Sequence, residues 1–259
     1  MENSENKSII ITGSSNLSKT EKLLSITQKI LSEIKPQYES VIIGNQEWMT
    51  RNLEVDRFRN GDLIPHIELY EEWKKAGKNG QPAWCYYNNY LETGKKYGKL
   101  YNWYAVNDPR GLAPEGWHVP TFEEWNILVE FLGEDIAGHR LKSVDGWYSK
   151  DYLYEILKIE NANGDNSSGF NALPGGFRFY YGFDYIGNSA LFWSATESDH
   201  NYVFTRAMED YSGPVISDEN DKSLGASVRC IKDSSDSKWA QAVKNGTIKP
   251  YIPPGLKLK

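Results

Sequence analysis

Gly116-Trp117-His118-Val119-Pro120-Thr121-Phe122-Glu123-Glu124-Trp125-Asn126-Ile127-Leu128-Val129-Glu130-Phe131-Leu132-Gly133 carries the clearest helix signal in the chain. Thr121 and Glu124 have the spacing at which each side chain satisfies the other's backbone N–H, which is the capping box of a helix start. Trp125, Leu128, Val129 and Leu132 then recur on one face, and Gly133 ends the helix. An apolar stripe this heavy needs a core to cover it.

On either side of this helix, residues 41–233 consist of short apolar or aromatic runs punctuated by Gly, Asn, Asp and Pro, the texture of a loop-rich α+β domain. Late strands are expected at residues 191–195, 202–208 and 226–231. Residues 1–40 read differently. Ser18 and Glu21 form a second capping pair, and Leu23, Ile26, Ile30 and Ile34 follow near helical spacing until Pro36 stops them. That stripe has two possible partners, the main domain or another chain, because so short a helix is marginal alone. Residues 234–259 open with Ser-Ser-Asp-Ser and close with Pro-Pro-Gly-Leu-Lys-Leu-Lys. A short helix at 239–243 and an extended end are expected there. Trp239, Tyr251 and Ile252 favour an arm that docks over a disordered tail. The expected organisation is therefore an N-terminal helical segment (1–40), a central domain (41–233) and a C-terminal arm (234–259).

Composition narrows the function classes. The 259 residues are 39% hydrophobic and 14% aromatic, enough apolar bulk for a core. A formal charge of −6 argues against nucleic acid, whose binding is built from clustered cations. No apolar run reaches the length of a signal-peptide core or a membrane span. The expectation is a protein made in the cytoplasm without a signal peptide and without membrane insertion, although a mature fragment would read the same way. Cys85 and Cys230 are too few for a disulfide scaffold and lack zinc-site spacing, so both read as buried small apolar residues.

Six blocks then occur in order: Trp48-Met49-Thr50-Arg51-Asn52-Leu53, Tyr97-Gly98-Lys99-Leu100-Tyr101-Asn102-Trp103-Tyr104-Ala105-Val106, Gly116-Trp117-His118-Val119-Pro120-Thr121, Gly169-Phe170-Asn171-Ala172-Leu173-Pro174-Gly175-Gly176, Phe192-Trp193-Ser194-Ala195-Thr196-Glu197 and Ser227-Val228-Arg229-Cys230. Together, over about residues 41–233, they resemble the Fibrobacter succinogenes major paralogous domain family, related in fold to C-type lectin-like domains and formylglycine-generating enzymes. The resemblance implies a C-type lectin-like core with a small twisted antiparallel sheet, two helices and long irregular loops. Trp103, Trp117, Trp125 and Trp193 read as core anchors, and Gly175-Gly176 as a tight turn or close chain approach. Family members commonly carry Cys where this chain has Ala113. The resemblance therefore leaves Cys230 without a bridge partner, a free thiol suited to a reducing compartment.

Chemistry is expected to be absent. The formylglycine-generating relatives depend on an active-site cysteine pair, and Cys85 and Cys230 lie in blocks unlike that motif. His66, His118, His139 and His200 are dispersed, His118 reads as structural, and no Gly-x-Ser-x-Gly elbow or phosphate-cradling loop occurs. The calcium strings of sugar-binding lectins are missing, and the acidic stretches at 163–166 and 218–221 read as solvated turns. No metal and no cofactor are expected. What remains is a binding surface. On a strand at 202–208, Tyr202, Phe204, Arg206 and Met208 share one face while Val203, Thr205 and Ala207 share the other. The first set would face outward with residue types common in interface hot spots, unless a loop of the same chain covers it. By analogy with lectin-like display proteins, the contact candidates are Asp199, His200, Asn201, Tyr202, Phe204, Arg206, Asp210 and Tyr211. The expectation is a non-enzymatic binding or display module, gripping a protein or glycan through residues 197–211. Residues 1–36 and 234–259 would join it to an oligomer or larger assembly such as a virion or contractile injection particle. A secreted or surface adhesin, and an enzyme of the formylglycine-generating branch with an unrecognised site, are the alternatives.

Overall fold

The computed structural model describes residues 38–148 and 162–233. The helix expected at 18–36, the helix at 239–243 and the extended tail lie outside the described residues. The fold is α+β, but it has several small antiparallel sheets where a single one was expected, and five short α-helices among the described residues where two were expected.

Strands β1 (Ser40–Ile43) and β2 (Gln46–Met49) form a hairpin around Gly44. Next come helix α1 (Tyr70–Lys78), strand β3 (Trp84–Cys85), helix α2 (Leu91–Tyr97), strand β4 (Leu100–Tyr101) and helix α3 (Trp103–Val106). They lead to β5 (Trp117–His118), α4 (Phe122–Leu132) and α5 (Ala137–Leu141). The second half of the domain is mostly sheet: β6 (Gly175–Phe179), β7 (Gly182–Ile186), β8 (Ser189–Glu197), β9 (Tyr202–Glu209), β10 (Ile216–Asp221) and β11 (Ile231–Lys232). Sheet orders are β1-β2-β11-β5, β10-β9-β8, β3-β4 and β6-β7. Ile231 pairs with both Trp48 and His118, so the end of the domain is stitched beside its beginning.

Helix α4 forms as its sequence dictates. Thr121 Oγ1 accepts from the Glu124 backbone N–H, the Glu124 carboxylate accepts from the Thr121 N–H, and Trp125, Leu128 and Leu132 are buried. Strands β8 and β9 fall where expected, each somewhat longer. Residues 226–231 do not form one strand. Ala226 bridges to Tyr101 and Ser227 to Phe192, the Val228 and Cys230 carbonyls accept from Leu53 and Met49, and only Ile231–Lys232 pairs as a strand. The segment threads between four elements and pairs briefly with each, which no periodicity encodes. The stretch at 218–221 is also corrected: it lies on β10 and is not a turn.

Trp48, Trp125, Phe170 and Phe192 form the centre of the core, with ring centroids 4.8 Å apart for Trp48–Trp125 and 5.7 Å for Trp125–Phe192. Trp103, Trp117 and Trp193 are buried as expected. Into this cluster runs Arg229, 1% exposed, its guanidinium 4.4 Å from the Phe170 ring centre. Its five N–H groups make five bonds. Two go to Asn52 Oδ1, and the others to the carbonyls of Met49, Phe170 and Asn171. All these acceptors are neutral, and burial pulls the guanidinium pKa down to about 9. Both cysteines are free and buried, as expected, with burial raising the thiols to about 11 at Cys85 and about 12 at Cys230.

Replacing Arg229 by Met keeps the bulk and strands several buried acceptors without donors. The expected loss is on the order of 3 kcal/mol or more, read as a lower urea midpoint at unchanged slope. Arg229→Lys is expected to recover little of it, because one ammonium cannot span the same fork.

Candidate functional site

Strand β9 divides the eight expected contact residues among three places. At its start, Asp199 Oδ1 accepts from the backbone N–H groups of Asn201 and Tyr202, which hold its carboxyl below the usual range and shape the turn. His200 lends its carbonyl to Lys222 Nζ at 2.7 Å, and Tyr202 is exposed. In the middle, the expected outward face is corrected. Phe204 is half-buried against Phe122, with ring centres 4.2 Å apart, Arg206 lies under Phe122 and bonds Asn126, and Met208 is fully buried. Helix α4, not solvent, covers this face, and the Val203, Thr205 and Ala207 face is buried as well; both edges of β9 are paired, since it is the central strand of its sheet. At the far end, roughly 25–30 Å away at the usual rise per residue, Asp210 and Tyr211 belong to a different neighbourhood. Asp210 is buried, accepting from Asn188 Nδ2 and the Tyr211 N–H, while Tyr211 is exposed.

That neighbourhood contains a surface the strand argument missed. Phe177-Arg178-Phe179-Tyr180-Tyr181-Gly182-Phe183-Asp184-Tyr185 has six aromatic residues in nine and forms the β6–β7 hairpin. Strand alternation sorts them. Arg178 points inward, its guanidinium 4.3 Å from the Trp73 ring centre and 5.0 Å from that of Phe183, and donates to the carbonyls of Ile67 and Glu68. With that side pinned, Phe177, Phe179, Tyr181 and Tyr185 are left on the other. Phe177 stacks on Tyr185 at 5.0 Å and 10°, and Phe179 on Tyr181 at 4.8 Å and 14°. Tyr180, Tyr181 and Tyr185 are all exposed, Tyr181 at 59%.

The hairpin's backbone is unusual where the stacks meet. Tyr185 sits at φ 64, a left-handed conformation rarely adopted by a bulky residue. Gly176 also has positive φ, and a Cβ there would come within 2.4 Å of the Asp184 carbonyl. This is a close chain approach, one of the two roles expected for the Gly-Gly pair. The phenols of Tyr181 and Tyr211 are shifted up, first by partial desolvation and then by nearby carboxylates, Asp184 for the one and Glu209 with Asp210 for the other. Tyr185 lies within electrostatic range of both. At neutral pH the hydroxyls are donors beside acceptors, on a flat aromatic ground. The sequence signal was the density of Phe and Tyr, which reads as core until Arg178 is known to face in.

A model of the Fibrobacter succinogenes major domain matches residues 41–232. The chain belongs to this family. Comparison with curated proteins gives no match. Within this Fibrobacter succinogenes major domain the six sequence blocks converge in space: Asn52, Phe170, Phe192 and Arg229 meet in the core, Trp103 Nε1 and Trp193 Nε1 donate to the Ser194 and Tyr101 carbonyls, and the Ala195 N–H donates to the Pro120 carbonyl.

The domain's histidine in the third block is engaged at both nitrogens. His118 Nδ1 lies 2.7 Å from Asp233 Oδ1 and Nε2 lies 2.8 Å from Glu124 Oε1, joining β5, the α4 cap and the end of β11. Burial lowers the imidazole pKa, but the bonds to Glu124 and Asp233 outweigh it and the net shift is upward. Glu124 moves the other way: burial raises it, and the bonds from His118 and Thr121 bring it below its usual value. Among the described residues, no three His, Cys, Asp or Glu are grouped to hold a metal ion.

The shifts set a pH window. The His118 contribution is complete below its unfolded value of 6.5 and is lost as pH rises through the higher folded value. The Glu124 contribution is complete above 4.5 and is lost as pH falls through its lower folded value. The clamp is therefore strongest between about pH 4.5 and 6.5. His118→Gln is expected to flatten the fall in stability from about pH 6 to 8.5 by up to ~1 kcal/mol, solvent screening included. Chemical denaturation at both pH values checks it. Glu209, raised to about 7 by burial, titrates in the same range and is common to both proteins.

Proposed function

We propose that this domain binds a ligand on the aromatic face of the β6–β7 hairpin and performs no chemistry there. The supporting observation is the paired stacking of Phe177 on Tyr185 and Phe179 on Tyr181, with four exposed tyrosines around it. A buried aromatic cluster would need no explanation; an exposed one of this size ordinarily marks an interaction surface. Arg178 and Gly176 hold the hairpin so that little side-chain freedom is left to lose on binding, the condition under which aromatic contacts contribute most.

Of the two ligand classes, a glycan suits the face better. Flat rings meet the C–H faces of sugars, and phenol hydroxyls with the Asp184 carboxylate beside them can satisfy sugar hydroxyls. The expected binding strip at 197–211 contributes only its end, Tyr211. The lectin-like character of the fold, a place in a larger assembly and attachment through residues 1–36 and 234–259 belong to the same proposal and fit a display module.

The test is a glycan array probed with the full chain. The wild type is expected to retain a defined subset of glycans, and Tyr181→Ser/Tyr185→Ser to weaken it at least about thirtyfold, the effect of a hot-spot side chain. The thermal midpoint is expected to change little, since both rings are exposed. A silent array, or equal binding by both proteins, would sink the glycan reading.

A further inference from the structure

A cleft of about 420 Å³ opens between α4 and the chain entering β10. Arg206 and Val215 are its buried members, Asn126, Val129 and Glu130 are half-buried, and Glu134, Asp135 and Pro214 are exposed at its mouth. The volume is that of a small-molecule site.

Arg206 is the anomaly in it. It is 5% exposed, yet its Nε–H is buried with no acceptor. Its one hydrogen bond among the described residues runs from Nη2 to Asn126 Oδ1, and the Phe122 ring lies 4.3 Å from the guanidinium carbon. Both of these partners are neutral, and burial pulls the guanidinium pKa down to about 10. Buried cations are ordinarily paired or fully hydrogen-bonded, because an unmet charge in a low-dielectric site is costly. Arg229 is the internal control. It is buried too, with every N–H committed, and it needs nothing further.

The mouth has the opposite sign. Glu130, Glu134 and Asp135 line the cleft and make no ion pair with Arg206. A simple anion would pass this acidic rim at a cost, and a simple cation would be repelled by the floor. We infer that the cleft binds a small zwitterion, an aliphatic amino acid, with its carboxylate on Arg206 and its ammonium toward Glu130, Glu134 and Asp135. Val129, Val215 and Pro214 provide an apolar wall for the side chain. This site shares no residue with the aromatic hairpin and stands or falls apart from it.

The experiment uses the full chain and matched probes: L-valine, isovalerate, which lacks the amine, and isobutylamine, which lacks the carboxylate. The readout is the arginine Nε–H region of a ¹⁵N NMR spectrum, with the Arg206 resonance assigned by its absence in Arg206→Lys. Valine is expected to shift that resonance saturably and to bind about tenfold tighter than isovalerate, the worth of one charge-assisted hydrogen bond. Isobutylamine is expected to leave it unmoved. Glu130→Gln/Glu134→Gln, changes near the surface that leave Arg206 in place, is expected to erase valine's advantage over isovalerate. If Arg206→Lys fails to fold, the same resonance is identified by its proximity to the Phe122 ring protons. No saturable shift with valine, equal affinity for valine and isovalerate, or an advantage that survives the double glutamate change each overturns the inference.

Discussion

The fold depends on one buried cation. Arg229 reaches into a cluster of Trp and Phe side chains and gives its five N–H groups to Asn52, Met49, Phe170 and Asn171. Those acceptors lie far apart in sequence, so each bond closes a loop of more than fifty residues, as the separation of Arg229 and Phe170 illustrates. A guanidinium is the one side chain whose planar fork can meet so many carbonyls at once. Cation–π contacts with Phe170 and Phe192 return part of the desolvation cost. Outside the β8-β9-β10 sheet the strands are two to five residues long, and there this node does what a long ladder does elsewhere.

The same device recurs at smaller scale. Arg178 pins the hairpin to Ile67 and Glu68, and Lys142, 3% exposed, donates to the carbonyls of Ala162, Glu209, Asp210 and Ser212. Arg59 gathers the carbonyls of Ala113, Pro114 and Trp117. Loops expose carbonyls that no strand partner satisfies. Here long cationic side chains collect those acceptors, with their stems buried among aromatics. The many loops can thus be rigid without regular structure, which is what a fixed aromatic face requires.

What could be read from the sequence follows the range of the interactions involved. Helix α4 was legible because its cap needs only Thr121 and Glu124, and β8 and β9 because alternation is local. The six blocks identified the family, yet gave no hint that the first, fourth and fifth of them meet at Arg229 of the sixth. Alternation also placed Phe204 and Arg206 correctly on one face of β9; that this face lies under Phe122 depends on where α4 docks, which no pattern within the strand encodes. The hairpin was missed for the converse reason. A run of six aromatics looks like core, and only the inward turn of Arg178, set by carbonyls more than a hundred residues away, leaves four of the rings outside.

Arg206 and Arg229 make the final point together. Both are buried, both sit on phenylalanine rings, and burial lowers the pKa of both. They differ in completeness. A chain able to satisfy every donor of Arg229 in a crowded core has the means to satisfy a second arginine, and Asn126 already meets one edge of Arg206. The residue with the unsatisfied donor lines an open cleft instead, where a methionine of similar length would avoid the cost of burying a charge. Retaining a charge there costs more than the one bond to Asn126 and the contact with Phe122 return. That cost is explained if the partner comes from solution, and the acidic rim determines which solutes are admitted.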